Sequence, residues 1–243
     1  MSFDWIFFDC FNTLIDDFTP DGDESGVKPI LGLPVAAGFY ATEAEFKVDY
    51  DRWKRGRWSG NDWGEVDLAV RLKEILTTKD ASRKDEVPAL VNRMMRRFKL
   101  EYTNTLRLTP GICEMLKRWR DIVKMGVISN FYLRDWPQRM LMKFGLYDYF
   151  DFVIDSASFG FKKPGQTIYL GALQRAAISV DQAERVLFIG DNLANDVLAP
   201  MELGMKVIYL DRSNDRPTSE LVPEGVSSIK CWTEFKPENF QGY

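Results

Sequence analysis

Five short apolar runs restrict the possible folds of this 243-residue chain more than any other feature of its sequence. The runs are apolar throughout and do not alternate with polar residues, as expected of strands in a parallel sheet that is covered on both faces. Helix-like stretches separate the later runs, so the pattern predicts an α/β fold with a doubly wound parallel sheet. The predicted strands are Phe3 to Asp9, Ile122 to Ser129, Phe152 to Asp155, Val186 to Asp191 and Lys206 to Leu210, and the predicted helices between them are Thr109 to Asp121, Trp136 to Phe144 and Thr167 to Ala177.

The segment between the first and second apolar runs has a different pattern. A stretch rich in Gly, Pro and Asp is followed by mainly helical runs, without a convincing strand of the parallel kind. We therefore predict a core α/β domain formed by residues 1–14 and 105–243, and a helical cap domain formed by residues 15–104. An insert directly after the first strand would act as a lid over the carboxyl edge of the sheet, where ligands of such folds bind. The predicted cap helices are Thr42 to Arg57, Asp62 to Leu76 and Lys84 to Thr103.

The composition excludes several classes of function. The chain contains no histidine, so Ser-His-Asp or Cys-His catalytic groups and His-ligated zinc sites cannot form within it. Its 32 basic and 36 acidic residues give a net charge of −4, which argues against nucleic acid as a partner. Three widely spaced cysteines indicate free thiols in a reducing compartment, and no apolar run reaches the ~18 residues of a membrane-spanning helix. We expect a cytoplasmic protein that does not associate with membranes.

Polar residues follow the predicted strands at the points where the strands end. In a parallel sheet these ends lie side by side, so the side chains should converge on one crevice. Carboxylates and waters are the ligands that magnesium prefers, and a lysine would offset the crowding of negative charge. The residues concerned are Asp9 and Thr13 after the first strand, Ser129 and Asn130 at the end of the second, Lys163 after the third, and Asp191 and Asp196 after the fourth.

This arrangement resembles the haloacid dehalogenase superfamily of hydrolases. Four motifs occur in the family's order, and a helical insert lies where the family's cap of the first type belongs. The motifs are FFDCFNTL around Asp9, VISN ending at Asn130, the Lys163-Pro164 pair and GDNLAND from Gly190 to Asp196. The resemblance covers nearly the whole chain and implies a core sheet of five parallel strands and an anionic small-molecule substrate.

The resemblance also implies catalytic roles for individual residues. Asp9 would be the nucleophile that forms a covalent aspartyl intermediate. Thr13 and Ser129 would donate hydrogen bonds to the transferred group, with Asn130 beside them as a substrate-binding residue. Lys163 would stabilise negative charge on nucleophile and substrate, in agreement with the needs of phosphoryl transfer.

A magnesium site follows from the same resemblance. Asp191 would ligate Mg²⁺ together with Asp9 and the backbone carbonyl of Phe11, and Asp196 would ligate the ion or orient its surroundings. Phosphoryl transfer requires neutralisation of negative charge, which such an ion supplies.

Phe11 departs from the pattern of the family's phosphatases. They have a second Asp at this position, which protonates the leaving alkoxide and later activates water. A phenyl ring cannot transfer a proton, and general acid–base catalysis typically contributes about 10²–10⁴-fold. The family's 2-haloacid dehalogenases have an aromatic residue here and need no proton for a halide, but they do not rely on magnesium. In the fourth motif, this chain has Asp191 and Leu193 at the positions where those dehalogenases have Ser and Asn.

The segment Trp53 to Trp63 combines three tryptophans with three basic residues within the predicted cap. Arg55, Arg57 and Trp58 could form a substrate-facing surface, because Arg binds carboxylate or phosphate and Trp supplies apolar walls. Aromatic packing between cap helices explains the same segment without any contact to substrate.

Three functions remain open on the sequence alone. The first is magnesium-dependent hydrolysis of a phosphorylated small molecule through an aspartyl intermediate at Asp9. The second is a metal-independent hydrolase similar to 2-haloacid dehalogenases. The third is a catalytically weak member of the family that acts as a binding protein. Asp191 favours the first over the second, whereas Phe11 weakens the first, and the oligomeric state is left open.

Overall fold

A parallel sheet forms the centre of the protein in the computed structural model, which describes residues 3–17, 26–57, 63–214 and 222–236. Six strands among these residues pair in the order β5-β4-β1-β6-β7-β8, and every pairing is parallel. A separate antiparallel pair, β2 and β3, joins the two ends of the helical insert. The strands are β1 (Trp5–Phe8), β2 (Ile15–Asp16), β3 (Arg107–Leu108), β4 (Lys124–Ser129), β5 (Phe152–Asp155), β6 (Val186–Gly190), β7 (Lys206–Leu210) and β8 (Ser227–Ile229).

The α/β fold and the five apolar strands are confirmed, but the expectation of a five-stranded sheet is wrong, because the described residues form a sheet of six strands. The additional strand β8 pairs with β7 at one edge of the sheet. Its sequence, Ser-Ser-Ile, has two exposed residues and one buried residue. Such a short and mostly polar edge strand lacks the continuous apolar pattern by which buried strands are recognised.

Burial on both faces explains why β1 is apolar at every position. Ile6 and Phe8 pack into one hydrophobic cluster, whereas Trp5 and Phe7 pack into another on the opposite face of the sheet. Successive side chains of a strand point to opposite faces, so a strand covered twice needs an apolar residue at each position. The polar residue Asp9 directly after β1 therefore lies at the sheet's carboxyl edge.

Helices cover both faces of the sheet and make up most of the insert. Within the described residues they are α1 (Gly32–Ala36), α2 (Glu43–Arg57), α3 (Leu68–Lys79), α4 (Val87–Thr105), α5 (Ile112–Trp119), α6 (Trp136–Lys143), α7 (Ser156–Phe159), α8 (Gln166–Ala176) and α9 (Ala199–Glu202). Short 3₁₀ segments span Lys28–Ile30, Ala81–Arg83, Tyr147–Tyr149 and Val180–Arg185, and a π-helical turn spans Leu193–Leu198. None of the described helices has the length and hydropathy needed to cross a bilayer.

The helix predicted from Asp62 begins later than expected. Helix α3 starts at Leu68, because the Asp67 carboxylate accepts a hydrogen bond from the backbone N–H of Ala69 and caps the helix. Residue 62 itself lies outside the described residues. The helices α1 to α4 all lie between β2 and β3. The division into core and cap domains at residues 15 and 104 stays a prediction.

A buried polar network connects the insert to the core. Arg71 of α3 is 2% exposed and forms a salt bridge of 2.5 Å with Glu65. The other carboxylate oxygen of Glu65 accepts a hydrogen bond of 2.9 Å from Ser156 of α7. The Ser156 hydroxyl accepts in turn from the backbone N–H of Phe131, two residues after β4. The insert thereby contacts the loop that carries the second motif.

Candidate active site

Strand register brings the polar strand ends to one edge of the sheet. Phe8 pairs with Val127 of β4 on one side and with Ile189 of β6 on the other. The residues that follow these strands therefore lie next to one another, as the sequence predicted. The backbone N–H of Asp9 also donates to the carbonyl of Ile189 at 3.0 Å, which holds Asp9 beside the end of β6.

Lys163 lies at the centre of this cluster. Its side chain is 1% exposed, and its ammonium group lies 2.7 Å from Asp9 Oδ1 and 2.7 Å from Asp196 Oδ1. Burial alone would lower the pKa of Lys163, but the carboxylates of Asp196 and Asp9 outweigh burial and raise that pKa. The lysine is therefore positively charged and bridges two carboxylates.

Asp196 holds Lys163 and the loop after β6 in place. Its Oδ1 accepts from Lys163, and its Oδ2 accepts from the backbone N–H of Asn192 at 3.0 Å. A Cβ at Gly190 would lie 2.3 Å from Asp196 Oδ2, so glycine is required at the end of β6 for this close approach. Burial raises the pKa of Asp196, and the negative charge of Asp9 adds to that rise against the opposing effect of Lys163.

Thr13 joins the carboxylates of Asp9 and Asp191. Its hydroxyl lies 3.5 Å from Asp9 Oδ2 and 3.5 Å from Asp191 Oδ1. One carboxylate oxygen from each of Asp9, Asp191 and Asp196 lies within 4.8 Å of the others. A set of oxygen donors without nitrogen or sulfur suits a hard divalent cation such as Mg²⁺.

The second motif supplies one positioning residue and one unsatisfied hydroxyl. The side-chain amide of Asn130 donates to the Lys163 carbonyl, and its oxygen accepts from the Lys163 backbone N–H, both at 2.8 Å. Asn130 thus fixes the backbone of Lys163. Ser129 is 1% exposed, and its hydroxyl has no hydrogen-bond partner among the described residues. A buried hydroxyl without a hydrogen-bond partner costs about 1–3 kcal/mol of folding free energy. The Ser129 hydroxyl is therefore a candidate for a hydrogen bond to a bound ligand.

Phe11 occupies the position where the family's phosphatases have their acid. The residue is 8% exposed, and its ring packs against Phe131 at 4.6 Å and against Tyr102 of α4 at 5.9 Å between ring centroids. The ring is therefore part of an aromatic wall between the core and the insert. Its carbonyl oxygen accepts no hydrogen bond within the described part of the chain.

A cavity of about 480 Å³ opens over the carboxylates and Lys163, and Thr13 and Ser129 are not among the described residues that line it. Asp9, Phe11, Asn130, Lys163, Asp191 and Asp196 line it from the core. Lys28, Lys47, Tyr50, Asp51 and Lys54 line it from the insert. Lys54 belongs to the basic segment Trp53 to Trp63 that the sequence analysis considered as a substrate-facing surface, whereas the other four residues were not singled out. The available signal was their spacing, because residues 47, 50, 51 and 54 lie on one face of a helix.

The predicted substrate-facing residues of the insert lie elsewhere or cannot be placed. Arg55 is exposed and is not among the residues that line the cavity. Successive residues of a helix point about 100° apart, so Lys54 faces the cavity and its neighbour does not. The side chain of Arg57 and the whole of Trp58 lie outside the described residues.

Comparisons with known proteins agree with this geometry. The model of the family described as haloacid dehalogenase-like hydrolase matches residues 3–204. The pyrimidine 5′-nucleotidase YjjG of Escherichia coli (strain K12) is 28% identical over 235 residues, which are 96% of this chain and 94% of the relative. A glyceraldehyde 3-phosphate phosphatase of Pyrococcus abyssi is 32% identical over 116 residues, 45% of this chain and 47% of the relative. One relative is thus named as a nucleotidase and the other as a phosphatase.

A solved structure with the same fold is named for a different reaction. The crystal structure of a 2-haloacid dehalogenase from Pseudomonas syringae pv. tomato DC3000 superposes with a TM-score of 0.72 at 18% identity, and each chain is covered to 96%. This similarity concerns the fold. The choice between the two reactions therefore depends on the residues of the site.

We expect removal of the Lys163 charge to destabilise the protein. Lys163→Met leaves two buried carboxylates without their cation, which should lower the free energy of unfolding by about 3–5 kcal/mol. Lys162→Met is the matched control and should cost less than about 1 kcal/mol, because Lys162 is only half-buried. Urea denaturation in the presence of EDTA measures both changes. Equal losses for the two variants would contradict this view of the site.

Proposed function

The chain belongs to the haloacid dehalogenase-like hydrolases, and from that premise we propose that it hydrolyses a phosphorylated small molecule with the help of magnesium. The observation that carries the proposal is the convergence of Asp9, Asp191 and Lys163 on one cavity. A nucleophilic carboxylate, a second carboxylate and a buried cation are the groups that phosphoryl transfer requires.

Asp9 is the proposed nucleophile. A carboxylate oxygen attacks phosphorus, the new Asp9–phosphorus bond forms, and the ester bond to the leaving group breaks. Water then attacks the same phosphorus and releases phosphate and the Asp9 carboxylate. Lys163 holds Asp9 Oδ1 at 2.7 Å, so the nucleophile is oriented before substrate binds. Ser129 and Thr13 would donate hydrogen bonds to phosphoryl oxygens, and the unsatisfied Ser129 hydroxyl supports this assignment.

The donor set fits a magnesium ion. Asp9, Asp191 and the Phe11 carbonyl would hold it. Asp196, whose oxygens accept from Lys163 and from the backbone N–H of Asn192, is assigned to positioning Lys163 and the loop after β6. Five aspartates and four lysines line the cavity among the residues that the structure describes, and without a divalent cation this excess of negative charge would repel a phosphate dianion. When bound, magnesium neutralises negative charge on the phosphoryl oxygens.

Phe11 determines which phosphate esters we expect to be cleaved. The ring cannot donate a proton to a leaving alkoxide, so the proposed substrates are those whose leaving group needs none. A metal-independent dehalogenase remains the second candidate, because a halide also leaves without a proton. Asp191 near Asp9 argues against it, since two carboxylates without a cation would repel an anionic haloacid.

The proposed setting of the reaction is the cytosol. Cys10, Cys113 and Cys231 are all free thiols, as is typical of proteins in a reducing compartment. The proposed partner is therefore a small anionic substrate and neither nucleic acid nor a membrane.

The first test concerns the nucleophile. Asp9→Asn should abolish magnesium-dependent hydrolysis of phosphate esters, because an amide cannot form the aspartyl intermediate. Asp4→Asn, at the opposite end of β1, is the matched control and should retain activity. A single turnover of wild-type protein in ¹⁸O-water should place the label in phosphate. Label in Asp9 would instead show attack of water on a carboxyl carbon, as in dehalogenation.

The second test concerns Phe11. Aryl and acyl phosphates should be cleaved at least about tenfold faster than alkyl phosphates, because only the alkoxide needs a proton. Phe11→Asp should raise alkyl phosphate turnover by ~10-fold. Phe11→Asn opens the same space without a proton donor and should give no gain.

Similar wild-type rates for alkyl and aryl phosphates would show that another residue supplies the proton. Asp17 lines the cavity and accepts a hydrogen bond of 2.7 Å from the Tyr102 hydroxyl, so it would then be the first residue to replace.

A further inference from the structure

We infer that the chain after β7 positions the proposed active site, because Arg212 and Trp232 hold two successive carbonyl groups of the loop that follows β1. This inference rests on the proposed function and adds two positioning residues to it. Both residues lie beyond residues 3–204, which the family model matches, and outside the four motifs of the family. Neither is among the described residues that line the cavity, so both act through the loop and not on the substrate.

The loop after β1 places Thr13 between two carboxylates of the site. The buried Thr13 hydroxyl lies 3.5 Å from Asp9 Oδ2 and 3.5 Å from Asp191 Oδ1. The preceding residue, Asn12, has a φ of 65°, in the left-handed region that residues other than glycine adopt at a cost in free energy. Such a conformation persists where the surrounding structure imposes it, so contacts from outside the loop help to maintain it.

Trp232 binds the carbonyl group of Thr13 itself. Its indole N–H donates a hydrogen bond of 3.1 Å to that oxygen. The indole ring is buried and packs edge to face against the ring of Phe8, the last residue of β1, with 5.9 Å between the ring centroids. The donor is therefore fixed against the strand that leads to the proposed nucleophile, and it holds the Thr13 carbonyl at a defined place.

Arg212 binds the carbonyl group of the preceding residue. Its guanidinium donates to the Asn12 oxygen at 3.0 Å and forms a salt bridge of 2.9 Å with Asp16 Oδ1. Both charged side chains are buried. A guanidinium has several N–H donors in a rigid planar arrangement, so one side chain can bind both acceptors in a defined geometry. Arg212 thereby connects the loop to β2, the strand at the start of the insert.

The peptide groups on both sides of the Thr13 Cα atom are thus each held by a side chain. Because a peptide group is planar, holding its carbonyl oxygen restricts the rotation of the whole group. The two contacts therefore restrict the direction in which the Thr13 side chain points. Residues 200 and 219 positions further along the chain thereby determine how the Thr13 hydroxyl meets Asp9 and Asp191.

Hydrolysis of 4-nitrophenyl phosphate with magnesium present tests the role of Trp232. Trp232→Phe removes the N–H donor and keeps an aromatic ring, so kcat should fall about tenfold while KM stays within about twofold of the wild-type value. Rates are expressed per folded protein, with the folded fraction measured by urea denaturation. Trp136→Phe is the matched control and should keep the wild-type kcat, because the indole N–H of Trp136 is buried without a hydrogen-bond partner among the described residues.

Variants of Arg212 separate positioning from stability. Arg212→Met removes a buried cation next to Asp16 and should lower both the free energy of unfolding and kcat. Adding Asp16→Asn removes the buried charge left behind and should restore much of the stability. The kcat of this double variant should nevertheless stay about tenfold low, because the Asn12 carbonyl still lacks its donor. Asp16→Asn alone is the control and should keep kcat near the wild-type value.

Two kinds of result are distinguishable. A wild-type kcat in Trp232→Phe, an equal loss of kcat in Trp136→Phe, or recovery of kcat together with stability in the double variant overturns the inference alone. Failure of wild-type protein to hydrolyse 4-nitrophenyl phosphate with magnesium, or equal hydrolysis by Asp9→Asn, overturns the proposed function on which the inference rests.

Discussion

The site depends on one buried ammonium group that is shared by two carboxylates. Burying the Lys163 charge away from water is costly, and the 2.7 Å contacts with Asp9 and Asp196 offset that cost. The same contacts orient the carboxylate proposed as the nucleophile. Two carboxylates around one lysine leave the cluster with an excess of negative charge, to which Asp191 adds. A divalent cation at this edge of the sheet would balance the excess negative charge. The stability of the folded core and the proposed phosphoryl transfer therefore both call for positive charge at this place.

Much of the fold could be predicted from the sequence because burial on both faces leaves a clear pattern. The four apolar residues of β1 divide between two hydrophobic clusters, and continuous apolar runs marked four further strands. The edge strand β8 was missed because two of its three residues face solvent. The start of α3 was placed too early because the capping contact of Asp67 outweighs the helical periodicity around it. A polar edge strand depends on tertiary pairing and a helix cap depends on a single polar side chain, and apolar spacing reports neither.

The sequence also predicted which core residues converge, since strand ends of a parallel sheet must lie side by side. The sequence did not predict the structural role of each of these residues. Asn130 fixes the backbone of Lys163, and Asp196 uses both of its oxygens to hold the lysine and the loop after β6. On the insert, the sequence indicated a basic segment that contains Lys54, Arg55 and Arg57, and the structure turns Lys54 towards the cavity but not Arg55. No motif marks the cavity-lining face of α2, because the orientation of this helix relative to the core determines which of its residues line the cavity.

Calorimetric titration of the protein with magnesium tests the central claim most directly, because it requires no knowledge of the substrate. The account predicts one binding site per chain in wild-type protein and a loss of at least about tenfold in affinity in Asp191→Asn, where a charged ligand becomes neutral. Asp211→Asn, which alters an aspartate outside the cavity, should bind magnesium as the wild type does. Absence of binding in the wild type, or undiminished binding in Asp191→Asn, would contradict the claim that these carboxylates form a cation site.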